Sequence, residues 1–128
     1  MRAIDTNVVV RLITRDDERQ ALAADALVKD GAWLSLVALI ETAWVLAAVY
    51  EFTPQQLNRA FSMLLEHEHI VVEHPVAVKR ALDVSHTRSK LSFADCLLVE
   101  IARQAGFLPL VTFDRDLAKL DDIELVTD

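Results

Sequence analysis

The chain has 128 residues, 53% of them hydrophobic and 26% charged, a composition that excludes a disordered or fibrous protein and predicts one globular domain over residues 1–128. Its formal net charge of −7 excludes attraction of nucleic acid by the overall field, so any such contact must come from local basic residues or a bound cation. A single cysteine, Cys96, excludes an internal disulfide and favours a reducing, cytoplasmic location.

Short apolar strands alternate with helices along the chain. In chain order the pattern predicts a strand at 1–4, helices at 6–14 and 16–29, a strand at 32–35, helices at 36–51 and 54–66, a strand at 70–72, helices at 75–86 and 93–105, a strand at 110–112, a helix at 115–120 and a strand at 123–126. The helix at 54–66 has a clear start, because Thr53, Pro54 and Gln56 form a capping box with proline at the first helical position. This alternation predicts a three-layer α/β/α domain with a small parallel sheet of four or five strands.

Neither a targeting segment nor a membrane span is predicted. Asp5 interrupts the N-terminal apolar run almost at once, which a signal peptide would not tolerate. The longest apolar stretch, Leu36 to Val49, contains Glu41 and is shorter than the roughly 20 residues that a membrane span needs. We therefore expect this stretch to form a core helix.

Four carboxylates stand inside or directly after apolar segments. Asp5 follows the first strand and Asp114 follows the fourth. Glu41 and Asp95 lie early in apolar helices. Acidic side chains are rarely buried unless they are paired or bind a metal, so four of them in such positions predict a shared acidic pocket.

Each acid also has a purely structural interpretation when it is taken alone. Asp5 stands where it would cap the first helix, and Asp95 ends a near capping box that starts at Ser92. Glu41 has the alternative of a solvated polar stripe shared with Thr42. Their combination along one chain favours the functional interpretation.

The predicted parallel sheet determines where these four acids lie. Parallel strands place Asp5 and Asp114 at the carboxyl edge of a sheet, and the helices of Glu41 and Asp95 begin near the same edge. We therefore expect the four acids to converge. Because close carboxylates repel each other, the pocket should hold a divalent cation; an all-oxygen ligand set suits Mg²⁺, with Mn²⁺ as the alternative.

Several other residues have less specific interpretations. Cys96 is expected to be a small buried thiol rather than a nucleophile, and Trp44, like Trp33, is expected in the core. Arg88 and Arg115 are either ordinary solvated surface or contacts to phosphate groups.

Four segments follow one another in a characteristic order: Ile-Asp-Thr-Asn at 4–7, the glutamate at 41, Phe-Ala-Asp-Cys-Leu-Leu at 93–98 and Leu-Val-Thr-Phe-Asp-Arg-Asp-Leu at 110–117. Together they resemble the PIN-domain ribonucleases, and most closely the VapC toxins of bacterial and archaeal toxin–antitoxin pairs. The resemblance covers essentially the full length. It places the family's acids on Asp5, Glu41, Asp95 and Asp114, with Asn7 and Thr112 as accessory residues. The last segment has a second aspartate, Asp116, which is an alternative fourth acid; it should point more to solvent than Asp114.

The resemblance implies a metal-dependent endoribonuclease, with RNA as substrate, a homodimeric state and a separately encoded antitoxin as partner. Asp5 and Asp95 are then the first metal ligands, and Glu41 and Asp114 complete the ligand shell or orient a bound water. One metal ion or two, and RNA or DNA, are all compatible with these residues.

Two alternatives use the same first aspartate. A phosphoaspartyl phosphatase usually has a second aspartate two residues on, where this chain has Asn7. A non-catalytic acidic metal-binding or receiver-like signalling module would need an acidic pair beside the first strand, and it gives Glu41 no role. Substitution of Glu41 therefore discriminates between the nuclease and the signalling module.

Overall fold

The computed structural model describes residues 1–127, in which strands and helices alternate. The chain divides into two compact units, which we call unit 1 (Met1–Pro75) and unit 2 (from Val76 onward). The strands are β1 (Arg2–Ile4), β2 (Ala32–Leu34), β3 (Ile70–Val72), β4 (Leu110–Thr112) and β5 (Ile123–Leu125). The α-helices are α1 (Thr6–Thr14), α2 (Glu18–Val28), α3 (Leu36–Ala48), α4 (Pro54–Glu66), α5 (Pro75–Thr87) and α6 (Phe93–Ala105), and a short 3₁₀ helix covers Leu117–Lys119.

Unit 1 contains a three-stranded parallel sheet in the order β1-β2-β3. The register pairs Ile4 with Leu34 and Leu34 with Val72, so the three strands end level with one another. All three side chains are buried. The residue after each strand therefore lies at one shared carboxyl edge, which we call the unit 1 edge: Asp5, Ser35 and Glu73.

The four helices of unit 1 each begin at a side-chain cap. The capping residues are Asp5 for α1, Asp17 for α2, Ser35 for α3 and Thr53 for α4. Each cap accepts a backbone N–H that has no partner within its helix, which is worth about 1 kcal/mol of stability. Thr53 also forms the predicted capping box with Gln56. Helix α1 packs against α2 and α3, and the core of unit 1 includes Val9, Val28, Leu39, Leu46 and Phe61.

Unit 2 contains α5, α6 and the parallel pair of β4 and β5, in which Leu110 is aligned with Ile123. Helix α6 begins at the Ser92 cap and ends at Gly106, which has a φ of 83°. A side chain would be strained in this left-handed conformation, so glycine is suited to end the helix there, directly after the predicted last residue of the helix. The core of this unit includes Val78, Leu82, Leu97 and Val99.

The α/β class, the parallel pairing and the order of elements are confirmed, while several bounds differ; helix α3, for example, ends at Ala48 rather than at 51. Helix α2 begins at Glu18 rather than at 16, because Asp17 is the cap and Asp16 accepts hydrogen bonds from Tyr50 and Arg11 instead. The helix expected at 115–120 is the three-residue 3₁₀ helix. The five strands pair as two sheets, of three and two strands, where the sequence predicted one. Within residues 1–127 none of the helices is long and apolar enough to cross a bilayer.

Candidate active site

Asp5 lies at the unit 1 edge and begins α1. Its Oδ1 accepts the N–H of Val8 at 3.1 Å, and its side chain is exposed. The structural and the functional interpretation of this residue are therefore compatible, because the cap uses Oδ1 while the carboxylate faces solvent. Asn7, the predicted accessory residue, lies in the first turn of α1 and is also exposed.

Glu41 is exposed on α3, the helix that begins at the unit 1 edge. Its neighbour Thr42 is fully buried, and the Thr42 hydroxyl donates to the carbonyl oxygen of Ala38 at 2.7 Å. The alternative of a solvated polar stripe shared by Glu41 and Thr42 is therefore wrong, since the threonine satisfies its hydroxyl within the helix and faces the core.

Two apolar side chains on α3 share the exposure of Glu41. Trp44 is 68% exposed and Val37 is 78% exposed, at helical spacings of three and four residues from Glu41. The expectation that Trp44 belongs to the core is thus wrong, because in an almost uniformly apolar helix composition does not reveal which side faces inward. Trp33 is half-buried in β2.

Asp95 is the third residue of α6 and is half-buried. Ser92 is the cap of this helix, and its Oγ accepts the N–H of Asp95 at 3.1 Å. The next residue, Cys96, is 1% exposed. Burial first, and then the charges of Asp95 and Glu100, raise the pKa of the Cys96 thiol to about 11. A buried thiol that stays protonated is not a nucleophile, as the sequence predicted.

Asp114 follows β4 and shapes the turn after it. Its Oδ1 accepts the N–H groups of Asp116 at 2.9 Å and Leu117 at 3.1 Å, while the Oγ1 of Thr112 accepts the N–H of Asp114 at 3.0 Å. Thr112 therefore helps to fix the backbone at the acid. Asp114 is exposed and Asp116 is half-buried, with its Oδ1 3.3 Å from the Lys119 ammonium. The expected order of exposure is thus wrong, because Asp116 directly precedes the 3₁₀ helix, where Asp114 holds its N–H and Lys119 lies beside its carboxylate.

Each unit supplies two of the four acids. Unit 1 brings Asp5 and the start of the helix of Glu41 to one sheet edge. Unit 2 holds Asp95 and Asp114. Among residues 1–127 no three or more histidine, cysteine, aspartate or glutamate side chains gather in a geometry that could hold a metal ion. The convergence of all four acids stays a prediction.

Two further half-buried or buried acids were not among the predicted site residues. Glu73 follows β3 at the unit 1 edge, is half-buried, and accepts the N–H of Leu36 at 2.8 Å. Glu100 is 8% exposed in α6, and its carboxylate lies 3.5 Å from Arg103. Both carried the signals that identified the other acids, since Glu73 directly follows a strand and Glu100 stands among apolar residues of a helix.

Comparison with known proteins identifies the family. The sequence profile of the PIN domain matches residues 3–123, a span that includes all four predicted acids. Comparison with curated proteins gives no significant match. Among solved structures, the chain is similar to the crystal structure of VapC20 from Mycobacterium tuberculosis, described as a sarcin-ricin loop cleaving toxin, with 17% sequence identity, a TM-score of 0.43 and 98% of each chain covered. Because one family profile spans nearly the whole chain, the chain belongs to the PIN-domain family.

Proposed function

We propose that this protein is a metal-dependent endoribonuclease and the toxin of a toxin–antitoxin pair. The observation that carries the proposal is the PIN-domain match over residues 3–123, which includes Asp5, Glu41, Asp95 and Asp114. The same match favours a nuclease over a receiver-like signalling module, in which Glu41 would have no role.

The donor chemistry of the four acids fits a hard divalent cation. Carboxylate oxygens are the ligands that Mg²⁺ and Mn²⁺ prefer. At Asp5 the cap of α1 engages Oδ1, so Oδ2 is the atom offered to a cation. Asp5 and Asp95 would be the ligands that hold Mg²⁺. A bound divalent ion would lower the pKa of a coordinated water and neutralise negative charge on the phosphate.

The remaining acids act on the attacking water. In hydrolysis the water gives up a proton and its oxygen bonds to phosphorus, the bond from phosphorus to the leaving ribose oxygen breaks, and that oxygen takes up a proton. Glu41 and Asp114 orient the water or complete the ligand shell. Glu41 is exposed, so its carboxylate is accessible to an incoming strand, and the exposed Arg88 and Arg115 are candidates for phosphate contacts.

Cleavage assays with a charge-matched control test the nuclease. Purified protein should cleave single-stranded RNA with Mg²⁺ and stop when EDTA is added, and DNA of the same sequence is assayed beside it to measure the sugar preference. Glu41→Gln should lower the rate by at least about 100-fold, the scale on which catalytic carboxylates act. Glu66→Gln removes the same charge from an exposed residue at the end of α4 and should cleave like the wild type. Equal rates for the two variants would contradict the proposal.

The proposed protein partner is an antitoxin that supplies a basic side chain and an apolar helix. An inserted arginine would pair with the carboxylates, because a guanidinium matches a carboxylate in a bidentate way. In unit 1 a groove of about 390 Å³ offers apolar surface for such a helix, lined in part by Phe52, Met63, Leu64 and Ile70. The protein encoded by the gene next to this one is the candidate antitoxin. Its inhibition of cleavage should persist at physiological salt and should compete with Mg²⁺. Non-specific attraction of a basic protein to a chain of charge −7 should instead disappear at that salt concentration.

Growth assays and solution mass test the biological role. Expression of the protein alone should arrest growth, and co-expression with the neighbouring reading frame should restore it. We also propose a homodimer, as the resemblance to the VapC toxins implies. Light scattering at low micromolar concentration should give twice the mass of the 14.3 kDa chain. Harmless expression, with no co-purifying partner, would remove the toxin assignment and leave the nuclease.

A further inference from the structure

Glu73 connects β3 to the beginning of α3 through a hydrogen bond that spans 37 residues of sequence. Its Oε1 accepts the N–H of Leu36, the first residue of α3, at 2.8 Å. Its own N–H donates to the carbonyl oxygen of Leu34 at 2.9 Å, which continues the pairing of β2 with β3. Glu73 is thereby held at both its backbone and its side chain at the unit 1 edge.

Two side chains accept N–H groups of the first turn of α3, one adjacent in sequence and one distant. Ser35 is adjacent in sequence, and its Oγ accepts the N–H of Ala38 at 3.1 Å. Glu73 comes from the neighbouring strand. Both satisfy N–H groups that lack partners within the helix, and the negative charge of Glu73 lies where the helix dipole favours it. The serine cap fixes the conformation of the turn, whereas the glutamate fixes the position of the turn relative to the sheet.

This position sets the location of Glu41. Glu41 is five residues after Leu36, or about 7.5 Å further along a helix that rises 1.5 Å per residue. A helix transmits a displacement of its first turn to a residue so close to it. Displacements of about 1 Å at a catalytic group lower rates by up to about 100-fold.

We propose that Glu73 is the positioning residue of Glu41: by binding the N–H of Leu36 it holds the start of α3 at the unit 1 edge, and thus keeps the Glu41 carboxylate in place for phosphodiester cleavage. The inference rests on the proposed nuclease function. Glu73 acts as a hydrogen-bond acceptor through α3 and not as a group that touches the RNA.

Four variants separate this role from a purely structural one. Glu73→Ala and Glu73→Met remove the acceptor, and the methionine keeps most of the side-chain volume in case the alanine variant folds poorly. Glu73→Gln keeps an acceptor oxygen without the charge. Ser35→Ala is the matched control, because it removes the other side-chain acceptor of the same helix turn but leaves the connection to β3 intact.

Steady-state cleavage of a short RNA with Mg²⁺ is the measurement, with folding checked by circular dichroism. Glu73→Ala and Glu73→Met should lower kcat about 10-fold to 100-fold with little change in KM. Glu73→Gln and Ser35→Ala should stay within about 3-fold of the wild type, the scale of a weakened but retained hydrogen bond. A Glu73→Gln variant as damaged as Glu73→Met would overturn the inference, since charge rather than the hydrogen bond would then matter. So would equal losses for Ser35→Ala and Glu73→Ala.

A double-mutant cycle with Glu41 is the decisive readout. If Glu73 acts through Glu41, then Glu73→Met should lower the residual rate of Glu41→Gln by less than about 2-fold. Additive losses would mean that Glu73 acts independently of Glu41, and the inference would be wrong. A wild-type protein that does not cleave RNA contradicts the proposed function, whereas an active wild type with an equally active Glu73→Met contradicts only the role of Glu73.

Discussion

The hydroxyl of Tyr50 donates a hydrogen bond to Oδ2 of Asp16 at 2.6 Å, which ties the residues that follow α3 to the loop between α1 and α2. The other oxygen of Asp16 accepts from Arg11 at 2.9 Å. The pKa of Asp16 lies below its ordinary value, first because of the Tyr50 hydroxyl and then because of the Thr14 hydroxyl.

This contact predicts a specific dependence of stability on pH. A lowered carboxyl pKa stabilises the folded protein at pH values above the ordinary value of about 3.9, and this contribution is lost as the pH falls through the lower folded-state pKa. Tyr50→Phe should therefore be less stable than the wild type at pH 7, and the difference should shrink below about pH 4. Urea unfolding at several pH values measures it. With Asp16→Asn already present, Tyr50→Phe should have an effect that does not vary with pH; a variation that persisted would assign it to another group.

Asp5→Asn should nearly abolish cleavage without destabilising the fold. Asparagine caps a helix about as well as aspartate does, so the contact with Val8 is retained. It is a poorer ligand for a cation, because it has lost the charge. Thermal unfolding without metal should give the same Tm or a higher one, since repulsion among the acids falls. Asp17→Asn makes the identical change at the cap of α2 and should keep full activity. Wild-type rates for Asp5→Asn would refute its role.

Asp114→Ala should lower cleavage more than Asp116→Ala. The Asp114 carboxylate is exposed directly after β4, whereas Asp116 lies beside Lys119. Asp114→Ala also removes the acceptor for two N–H groups of the 3₁₀ turn, so its unfolding must be measured alongside its activity. Asp114→Asn retains an acceptor and separates the two effects. The reverse ranking would move the fourth acid to position 116.

Trp44 and Leu46 should differ sharply in their contributions to stability. Leu46 is 0% exposed, so Leu46→Ala should lower the free energy of unfolding by about 2–5 kcal/mol through lost burial and the cavity left behind. Trp44 is 68% exposed, so Trp44→Ala should cost less than about 1 kcal/mol in the monomer. Denaturant unfolding at low protein concentration makes the comparison. A large loss for Trp44→Ala would mean that this side chain is covered by the protein's own core.

Cys96 should be inert toward thiol reagents while the protein is folded. It is 1% exposed, and its pKa is raised to about 11. At pH 8 only about one thiol in a thousand would be ionised, and that one would be shielded. A disulfide reagent that releases a coloured thiolate should therefore react completely with Cys96 in guanidinium chloride and very slowly with the folded protein in buffer. Rapid reaction of the folded protein would mean that the Cys96 side chain is not buried.

Local signals predicted most of the elements well. Strand β3 and helices α1 and α6 have the predicted bounds, because a cap, a glycine or a short apolar run marks each end. The pairing of five strands as two sheets was not predictable, since each strand has three residues and its pattern carries no register with distant strands. The exposed side of α3 was missed for a related reason: Trp44 and Leu46 are both apolar, so only packing distinguishes them.

Glu73 illustrates the limit for the candidate site. Its position after β3 was as clear as that of Asp5 after β1, but its partner, Leu36, is 37 residues away. A cap normally comes from a residue adjacent to the helix, so no local pattern reveals a cap that reaches across from another strand.

Asp5 is both the cap of α1 and a proposed metal ligand, which has a consequence for related chains that accumulate substitutions after losing the proposed activity. Asp5 caps α1 and Asp114 caps the turn after β4, so selection for a folded chain alone would keep both. The caps of α3 and α6 are Ser35 and Ser92, so selection for folding alone would not retain Glu41 and Asp95 as caps. An aspartate after the first strand is therefore a poor indicator that a related chain retains the proposed nuclease activity. Glu41 is a better indicator of retained activity than Asp5 is.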